Sequence, residues 1–421
     1  MTAQGLNPPS PPMPDAERLA AAIDGLAEFH DSTRPGWSRE VFSEPYRASR
    51  EWVRARMADA GLDPVVDAAG NIVGRLPGAR GGGPALVTGS HTDTVPLGGR
   101  FDGIVGVLSG IEVATRLRET GTVLEHDLLV VDFLGEEANE FGISCMGSRS
   151  VAGVLEAGHL NRVDGSGVRL GDALDGFGVD PSAALRQAWR AGDVHAYVEL
   201  HIEQGPLLER SGERIGVVTA IAGIDRLLVN FAGRAGHAGT TPMADRHDAL
   251  VSAAAAVLTV DRVGCGAPVH GVATSGYIRS GPGSMGVISD HARLWAEIRS
   301  VDGSWLAGAR RRIVDEIAAE AAARGVEIDV EWLSDQDPVP TAPALRDTIG
   351  AAADELGLSW KAVPSGAGHD AAHLARLGPM GMIFVPSRDG RSHCPEEFTP
   401  ASDIAAGAHV LAATLLRLDR S

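Results

Sequence analysis

The chain has 421 residues, of which 44% are apolar, and its formal net charge at pH 7 is -18. This length and composition are typical of a globular enzyme with two or three domains, while the acidic charge argues against a nucleic-acid partner, which would need lysine and arginine patches. Three cysteines without a Cys-x-x-Cys pair argue against a disulfide framework or a thiolate zinc site, and no stretch approaches the roughly 20 apolar residues of a membrane helix.

The chain begins with a proline-rich segment, residues 1–14, that lacks the charged and then apolar pattern of a secretory signal. We interpret this segment as a short disordered lead. Reduced cysteines together with this missing signal predict a cytoplasmic protein.

The first half of the chain has an α/β rhythm. From Ala16 to about Val217, apolar runs alternate with helical stretches, such as the i, i+3, i+4 pattern from Ile104 to Leu117. This alternation predicts a doubly wound sheet. The loop around Gly81–Gly83 and the segment Gly165–Pro181 are predicted to be surface connections.

Histidines and carboxylates follow four apolar runs that are typical of buried strands. The runs are Ala85–Ser90, Leu128–Phe133, Ala196–Ile202 and Met380–Pro386, and the polar residues that belong to them are His91, Asp93 and Asp102, then Glu136 and Glu137, then His201, then His393. In the third run, strand alternation predicts that His201 points away from the core. Since ligands bind beyond the carboxyl ends of strands in open α/β sheets, we expect these side chains to converge.

The converging residues have the composition of a two-metal hydrolytic centre. Two cations need a bridging carboxylate, further nitrogen and oxygen ligands, and an unliganded acid/base beside a water. One bridge and four terminal ligands are available from His91, Asp102, Glu137, His201 and His393. Glu136 is left over as the acid/base, and Asp93 could hold the other imidazole nitrogen of His91.

Each of these residues also has a simpler interpretation. A single histidine is usually a surface or core group, paired glutamates are usually solvated, and Asp102 could be the N-cap of a helix beginning near Gly103. A thiol hydrolase built on His393 and Cys394 is disfavoured because consecutive residues of an extended loop face opposite ways. Cys145 is interpreted as a packing residue. The joint occurrence of all the groups favours the metal site.

The rhythm changes in the second half of the chain. The order there is strand (Leu227–Phe231), helix (Ala249–Val260), strand (Val272–Ile278), strand (Ala292–Arg299), helix (Leu306–Ala323) and strand (Val326–Trp332). This order predicts an α+β insert with its helices on one face of the sheet. We therefore predict a catalytic domain made of two separate segments, residues 15–218 and 336–421, with a lid or dimerisation domain inserted between them at 219–335.

Six motifs together resemble the allantoate amidohydrolase and N-carbamoyl-L-amino-acid hydrolase family. They are Gly89-Ser-His-Thr-Asp-Thr-Val-Pro96 with Gly99-Arg-Phe-Asp-Gly103, Glu136-Glu137 with Phe141-Gly142 and Gly147-Ser-Arg149, Glu199-Leu-His-Ile-Glu-Gln-Gly205, Ala235-Gly-His-Ala-Gly-Thr-Thr-Pro-Met243, Ser365-Gly-Ala-Gly-His-Asp370, and Ser392-His-Cys-Pro-Glu396. The resemblance extends from about Phe42 to Pro400.

The resemblance implies a fold and a set of roles. The fold would be a metallopeptidase-type catalytic domain with a mixed, largely parallel sheet, interrupted by an inserted α+β lid through which the enzyme forms a homodimer. Two divalent ions per subunit, of zinc, manganese, cobalt or nickel, would be bridged by Asp102. His91 and His201 would bind one ion, Glu137 and His393 the other, and Glu136 would be the general base.

The same resemblance assigns residues that the bare pattern does not rank. His237, otherwise a flexible loop residue, would reach the partner subunit's active site and stabilise the oxyanion. The implied substrate contacts are Gln204, Arg226, Arg299, Gly366 and His369, of which Arg299 suits a bidentate carboxylate contact.

Two departures from the family pattern affect the substrate rather than the metals. Gly286 stands where the family commonly has an asparagine, and Ile224-Asp225 stands where it commonly has Gln-Arg. The leading hypothesis is hydrolysis of a linear amide, most of all an N-carbamoyl-L-amino acid or related ureido acid. The alternative is an amidase, aminoacylase or dipeptidase, and a more remote one is a catalytically silent binding protein.

Overall fold

The computed structural model of this chain describes residues 13–186 and 189–420, without the side chains of residues 333–335. The predicted disordered lead, residues 1–14, falls outside the described residues except for Met13 and Pro14. The carbonyl of Met13 accepts a hydrogen bond from Nε of Arg116 at 2.9 Å, and the carbonyl of Pro14 lies 3.0 Å from Nε2 of His409. These two residues are therefore packed against the body of the protein.

Helices and strands alternate along most of the chain. The helices are α1 (Ala16–Ala27), α2 (Glu44–Asp59), α3 (Ile104–Glu119), α4 (Met146–Val151), α5 (Ala157–Leu160), α6 (Leu170–Phe177), α7 (Pro181–Ala184), α8 (Leu207–Ser211), α9 (Ala249–Cys265), α10 (Gly303–Ala323), α11 (Pro343–Glu355), α12 (Ala371–Leu374) and α13 (Ala401–Leu418). The strands are β1 (Asp63–Val66), β2 (Ile72–Leu76), β3 (Ala85–His91), β4 (Leu128–Phe133), β5 (Val194–Ile202), β6 (Ile215–Ile221), β7 (Gly223–Ala232), β8 (Val272–Gly281), β9 (His291–Ser300), β10 (Glu327–Gln336), β11 (Val339–Pro340), β12 (Trp360–Ser365) and β13 (Met380–Val385).

The chain folds into two compact units. Unit 1 runs to Thr219 and also contains Thr341–Val363 and the chain from His369 onward, and unit 2 contains Ala220–Pro340 and Pro364–Gly368. The division into a catalytic domain and a lid with boundaries at 218/219 and 335/336 stays a prediction.

The larger sheet is mixed, with a parallel centre. Its strand order is β1-β2-β4-β3-β5-β13-β6-β11, and β12 also pairs with β6. The four neighbours β4, β3, β5 and β13 run parallel to one another, whereas the flanking pairs are antiparallel. The predicted mixed α/β sheet is confirmed, and its parallel region is the central four strands.

These four parallel strands are the ones that the sequence marks with histidines and carboxylates. They end at His91, Phe133, Ile202 and Val385. Because parallel neighbours direct their carboxyl ends to the same edge, the segments that follow them start from one side of the sheet.

Strand β5 shows how the alternation divides core from site. Ala196, Val198, Leu200 and Ile202 belong to the main core together with residues of α3 and α13. Glu199 and His201 lie on the opposite face and are also buried. His201 therefore points away from the apolar core, as predicted, but into a buried polar site rather than into water.

Helix α13 is the one described helix that is long and apolar enough to cross a membrane by length and composition. Its apolar residues, among them Ile404, Val410, Leu411 and Leu415, are buried in the main core. The helix contacts α1, α3, α11, β5 and β13. It is the central core helix of unit 1.

One local prediction is wrong, and one of the simpler interpretations does not hold. The segment Gly165–Pro181 contains helix α6, because Leu170 and Leu174, four residues apart, bury one helical face in a cluster with Phe141. Asp102 does not cap α3 with its side chain, because Gly103 occupies the N-cap and no side chain bonds the first turn. Gly81–Gly83 is an exposed connection, as predicted.

Unit 2 contains a four-stranded antiparallel sheet in the order β10-β7-β9-β8. Alternate residues of β7 (Leu227, Val229 and Phe231) share one core with buried residues of α9 and α10. The two helices thus cover the same sheet face. The predicted order of strands and helices in this segment is the observed one.

Candidate metal centre and catalytic residues

Three side chains from three elements form a first group of potential metal ligands. His91 ends β3, Asp102 precedes α3 and His201 lies near the end of β5. Their ligand atoms lie within 4.8 Å of one another. Oδ1 of Asp102 is 3.6 Å from Nε2 of His91 and 3.2 Å from Nε2 of His201. All three residues are buried.

A second group uses the other oxygen of the same aspartate. Oδ2 of Asp102 is 3.4 Å from Nε2 of His393, which in turn is 3.3 Å from Oε1 of Glu137. These three side chains again lie within 4.8 Å of one another. Asp102 belongs to both groups and presents one oxygen to each, which is the arrangement of a bridging carboxylate.

Backbone groups orient the imidazoles toward Asp102. Nδ1 of His91 lies 3.1 Å from the carbonyl of Asp93, and Nδ1 of His201 lies 2.9 Å from the carbonyl of Ile202. Besides Asp102, Nε2 of His201 lies 3.1 Å from the amide of Gly103. Hydrogen bonding of Nδ1 is the usual way in which a metal-binding histidine is held with Nε2 free.

Gly103 is required by close packing. Its backbone is left-handed, with φ 69°, and a Cβ at this position would lie only 2.3 Å from Nε2 of His91. A side chain here would displace the imidazole. Only glycine lets the chain turn from Asp102 into α3 past the histidine.

Asp93 holds the two glutamates rather than the histidine. Its carboxylate accepts the amides of Glu136 at 3.2 Å and Glu137 at 3.1 Å, whereas its nearest approach to Nδ1 of His91 is 3.6 Å. It is the backbone carbonyl of Asp93, not the carboxylate, that makes the closer contact with His91. Burial raises the pKa of the Asp93 carboxyl to about 6.

Glu136 lies beside the first group. Its Oε2 is 3.5 Å from Nε2 of His91, and its Oε1 accepts a contact from the Cys145 thiol at 3.4 Å. Burial raises the pKa of Glu136 well above its usual value, and the negative charges of Glu137, Asp370 and Asp93 add to this effect against the opposing attraction of His91. A buried carboxyl of high basicity next to a metal group is suited to accept a proton from water.

His393 comes from a loop and is the most exposed of the candidate ligands. Its side chain is 48% exposed, and its backbone is left-handed, with φ 57°. Burial would lower the pKa of this imidazole, but the carboxylates of Asp102 and Glu137 outweigh burial and raise it to about 11. The second group therefore contains enough negative charge to hold a proton very tightly.

The residues present fit divalent metal ions. Both groups combine imidazole nitrogens with carboxylate oxygens, which are ligands for zinc, manganese, cobalt and nickel. Among the described residues, Oε1 of Glu137 is buried without a hydrogen-bond partner, although Nε2 of His393 is nearby. A buried carboxylate oxygen left in this way requires a cation.

Sequence reasoning missed a network behind Asp102 that is centred on Glu397. Oε1 of this buried residue accepts the amides of Phe101 at 2.9 Å and Asp102 at 3.1 Å. Its Oε2 is 2.7 Å from Oγ of Ser392, which is also 2.6 Å from Oδ2 of Asp102. Burial, and then repulsion from Asp102, raise the pKa of Glu397 to about 7.

The predicted substrate contact Gln204 lies against the same aspartate. Its Nε2 donates to Oδ2 of Asp102 at 2.6 Å, and its backbone is left-handed, with φ 56°. Its Oε1 is buried and makes no hydrogen bond within the described ranges of the chain. One end of the amide thus steadies Asp102, and the other end is a buried acceptor without a hydrogen bond among the described residues.

The predicted substrate contact His369 is buried next to His201. The two rings meet edge to face, with centroids 4.6 Å apart. Together with Glu199 they form a third group of potential ligands within 4.8 Å. Glu199 accepts hydrogen bonds from Ser90 and Tyr197, each at 2.8 Å, so its two oxygens are already occupied.

The remaining predicted residues lie in unit 2. Arg226 and Arg299 both contact the carboxylate of Glu297, at 3.4 and 2.8 Å, and Arg299 also donates to the carbonyl of Gly366 at 3.3 Å. Glu297 is partly buried, which would raise its pKa, but the two guanidiniums lower it. Two cations around one carboxylate leave a net positive charge that can attract an anion.

His237 is exposed, in a mostly exposed loop of unit 2. It forms an isolated β-bridge with Val287, and its Nδ1 accepts the amide of Gly239 at 3.0 Å. The neighbouring amide of Ala238 donates to the carbonyl of Gly286 at 2.8 Å. The loop that carries His237 is therefore tied to the segment in which the expected asparagine is replaced by Gly286.

The sequence contains only weak signals for the roles of Glu397 and Cys145. Glu397 stands one position after the motif that ends at Glu396, so its neighbourhood was visible but its hydrogen bonds were not. Cys145, interpreted as a packing residue, is buried as expected, yet its thiol touches Glu136. No spacing rule connects positions 136 and 145, because the chain between them is an irregular loop.

Known proteins resemble this chain over nearly its whole length. The family described as peptidase family M20/M25/M40 matches residues 87–417. An N-carbamoyl-L-amino-acid amidohydrolase from Paenarthrobacter aurescens is 38% identical over 406 residues, covering 96% of this chain and 98% of the relative. A ureidoglycolate hydrolase from Oryza sativa subsp. japonica is 38% identical over 423 residues, covering 97% and 86%. The crystal structure of a hydantoinase/carbamoylase family amidase from Burkholderia vietnamiensis has a TM-score of 0.88 at 35% identity, covering 97% and 98%.

Proposed function

We propose that this chain, which belongs to peptidase family M20/M25/M40, hydrolyses ureido acids at a dinuclear metal centre. It is an amidohydrolase that acts on non-peptide amides. The proposed substrates are N-carbamoyl-L-amino acids or related ureido acids. The relatives named above act, by their names, on an N-carbamoyl-L-amino acid and on ureidoglycolate, which are both ureido acids.

One observation carries the proposal: two groups of ligands share Asp102, and Glu136 lies beside them. The two oxygens of Asp102 face different groups, so two ions could be bound with one bridging carboxylate. His91 and His201 would bind one ion, and Glu137 and His393 the other. The ions would be zinc, manganese, cobalt or nickel.

The chemistry needs a strong nucleophile at neutral pH. Divalent ions held by these residues would polarise the carbonyl and lower the pKa of water to about 7. Glu136 would accept the proton of the attacking water as its oxygen bonds to the ureido carbon. The same carboxyl would pass that proton to the leaving nitrogen as the C–N bond breaks. From an N-carbamoyl amino acid this cleavage would leave one free nitrogen product and one carbamic acid, and loss of carbon dioxide from the carbamic acid would break the second C–N bond. The products would then be the free amino acid, ammonia and carbon dioxide.

Five residues would contact the substrate. Arg299, with Arg226 beside it, would bind the substrate's carboxylate, because a guanidinium can donate two parallel hydrogen bonds to a carboxylate. Gly366 and His369 would contact other parts of the substrate. Gln204 would present its buried Oε1 to the carbamoyl group, since that oxygen has no hydrogen bond within the described residues.

The active enzyme would be a homodimer formed by the lid, in which His237 stabilises the oxyanion in the partner subunit's active site. The outer edge of unit 2 supports a dimer. Strand β8 is the last strand of its sheet, and Tyr277 and Ile278 on it are exposed, as is Leu258 of the neighbouring helix α9. Exposed apolar side chains along an unpaired edge are typical of an interface. We place this dimer in the cytoplasm, where the free cysteines would stay reduced.

A second candidate activity is supported by Gly286. Its backbone is left-handed, with φ 82°, and nothing lies within 4 Å of the position of a Cβ. The side-chain amide that the family commonly places there is therefore missing. Losing a hydrogen bond to a carboxylate weakens binding by about 1.5–3 kcal/mol, which is enough to shift the substrate preference. The second candidate is therefore an amidase, aminoacylase or dipeptidase activity.

Metal replacement distinguishes these activities. The metal-stripped protein is restored separately with manganese, zinc, cobalt and nickel and assayed on N-carbamoyl, N-acyl and dipeptide substrates for ammonia and free amine. Metal-dependent ammonia with amino acid from the N-carbamoyl set supports the proposal. Amine from acyl or peptide substrates alone supports the second candidate, and no turnover with any metal leaves a silent binding protein.

The role of Glu136 has its own test. Glu136→Gln is expected to keep the metal content and oligomeric state of the wild type while losing the ureido activity, because the amide cannot accept a proton. A variant that retains nearly the wild-type rate would contradict the general-base role.

A further inference from the structure

A cavity of about 560 Å³ lies in unit 1, next to the second ligand group. Its wall is built by four segments, which are the stretch before α2, the stretch that follows β3, the stretch that follows β4, and the chain around the start of α6. Glu137 belongs to this wall and also to the ligand group with Asp102 and His393. The cavity is therefore continuous with the place where the ureido group would react.

The lining of the cavity is mainly apolar. Val41, Phe42, Pro96, Phe141 and Val168 contribute to it. Phe42 packs edge to face on Phe141, with ring centroids 6.0 Å apart. Pockets that bind small organic groups have volumes of roughly 300–1,000 Å³ and a largely apolar lining. The cavity is large enough for an aromatic or long aliphatic side chain.

The backbone of Phe42 is unusual in a way that concerns this wall. Its φ is 67°, a left-handed conformation that bulky residues rarely adopt. The ring is held there by a second edge-to-face contact, with Phe177 at 5.5 Å. Residues in such conformations are concentrated at ligand sites. The fold thus maintains an aromatic wall at an unfavourable backbone position.

The charged groups of the cavity all have the same sign. Among the described residues that line it, the charged side chains are carboxylates, those of Glu40, Asp93, Glu137, Glu140 and Asp164. Glu40 is paired with Arg34, and Asp93 is occupied by backbone amides. Asp164 accepts the amides of Ser166 and Val168, and Glu140 is exposed. A substrate side chain with its own carboxylate would be repelled.

We propose that this cavity is the subsite for the side chain of the substrate and that it selects large, uncharged, apolar side chains. The inference rests on the proposed hydrolysis of ureido acids and names their class. The preferred substrates are N-carbamoyl derivatives of residues such as methionine and phenylalanine. A ureido acid with a small side chain leaves the apolar walls of the cavity uncovered. A ureido acid with an acidic side chain places its carboxylate next to the carboxylates of the cavity.

The test compares kcat/KM for a series of side chains. Metal-restored enzyme is assayed with N-carbamoyl derivatives of glycine, alanine, methionine, phenylalanine and aspartate. The values are expected to rise by at least about tenfold from glycine to methionine or phenylalanine, since a single methylene in an apolar pocket changes kcat/KM by roughly 10- to 200-fold. The aspartate derivative is expected to have the lowest value.

A matched pair of variants locates the effect in the cavity. Val168→Trp fills the cavity from its partly exposed rim, whereas Val163→Trp changes an exposed valine of the same segment that does not line it. Val168→Trp is expected to lower the phenylalanine-to-glycine ratio of kcat/KM at least tenfold, and Val163→Trp to leave that ratio as in the wild type. Glu140→Gln is expected to raise the value for the aspartate derivative relative to glycine.

The outcomes distinguish failure of the subsite from failure of the proposed ureido activity. Turnover of the series with no dependence on side-chain size, or equal loss of selectivity in both tryptophan variants, overturns the subsite and leaves the ureido activity standing. Absence of turnover for every N-carbamoyl substrate with every metal overturns the proposed function, and the subsite with it.

Discussion

Replacing Glu397 by alanine should lower both stability and metal affinity, because this residue fixes the backbone that carries Asp102. The carboxylate accepts two buried amides, those of Phe101 and Asp102, and contacts the hydroxyl of Ser392. Each buried donor that loses its partner costs about 1–3 kcal/mol. The two amides together therefore cost roughly 2–6 kcal/mol, against a total stability of about 5–15 kcal/mol for a typical protein.

The effect on the metal follows from the freedom that Asp102 gains. Loss of an outer hydrogen bond that orients a ligand weakens metal binding by roughly 10- to 100-fold. We expect a decrease of this size for zinc and for manganese when Glu397→Ala is titrated in competition with a chromophoric chelator. Thermal unfolding of the metal-free protein measures the stability loss separately.

Glu397→Gln is the conservative partner of this variant. The carbonyl oxygen of glutamine can accept both amides, and its NH₂ group can donate to Ser392, whose hydroxyl is then free to donate to Asp102. We therefore expect Glu397→Gln to bind metal within a few-fold of the wild type. If it loses as much affinity as the alanine variant, the negative charge matters and not the hydrogen-bond geometry.

A distant residue controls for general destabilisation. The buried carboxylate of Asp419 also accepts two amides, those of Glu125 and His126, at 2.9 Å each, and contacts the ring of His126. Asp419→Ala should lower the unfolding temperature but leave the metal affinity of the wild type. Equal losses of metal affinity in Asp419→Ala and Glu397→Ala, or wild-type affinity in Glu397→Ala, would refute the reasoning.

Three further predictions concern the lid, the substrate and pH. Mixing His237→Ala and Glu136→Gln subunits in equal amounts should restore up to about a quarter of the wild-type activity if the histidine serves the partner's site, because half of the dimers are then mixed and each has one complete site; no activity returns if each subunit uses its own histidine. Gly286→Asn should raise kcat/KM for a substrate with a free carboxylate, relative to the corresponding carboxamide, by about tenfold or more, as expected for one added hydrogen bond to a charged group, and an unchanged ratio would show that position 286 does not contact the substrate's carboxylate. Burial, with Arg149 and Arg376 nearby, lowers the pKa of His373 well below 6.5. The unfolded state thus binds more protons below pH 6.5, so stability falls as the pH decreases through that value. His373→Leu should have a shallower pH dependence of its unfolding temperature, and identical slopes would contradict this assignment.

The central region of the fold could be predicted because its signals are local in the sequence. Each of the four parallel strands is a short apolar run followed closely by a histidine or carboxylate, and parallel strands end at one edge. The position of each residue relative to the end of its strand was therefore enough to predict that His91, Glu137 and His201 lie close together. His393 lies further from its strand, and its loop brings it back through a left-handed backbone that no periodicity reveals.

The features that were missed depend on contacts distant in sequence. Glu397 reaches the amides of Phe101 and Asp102 across almost 300 positions, and no pattern in one sequence links them. The contact of the Asp93 carboxylate with the amides of Glu136 and Glu137 was missed because the spacing of two residues from His91 says nothing about the approach of the loop after β4. Helix α6 was missed because it is short and its glycines resemble those of a turn.

The position of Asp93 restricts how this site can be redesigned. A single carboxylate holds the amides of both Glu136 and Glu137, so the proposed base and the neighbouring proposed ligand share one support at the end of another strand. Mutational libraries that vary either glutamate while keeping Asp93 would explore side-chain chemistry on an unchanged backbone. Libraries that vary Asp93 would move the backbone of Glu136 and Glu137 together. A variant that improves the position of one glutamate would then also change the position of the other. Evolution of a new activity on this scaffold is therefore easier from the cavity side, where Val168 and Phe42 can change independently of the two acids.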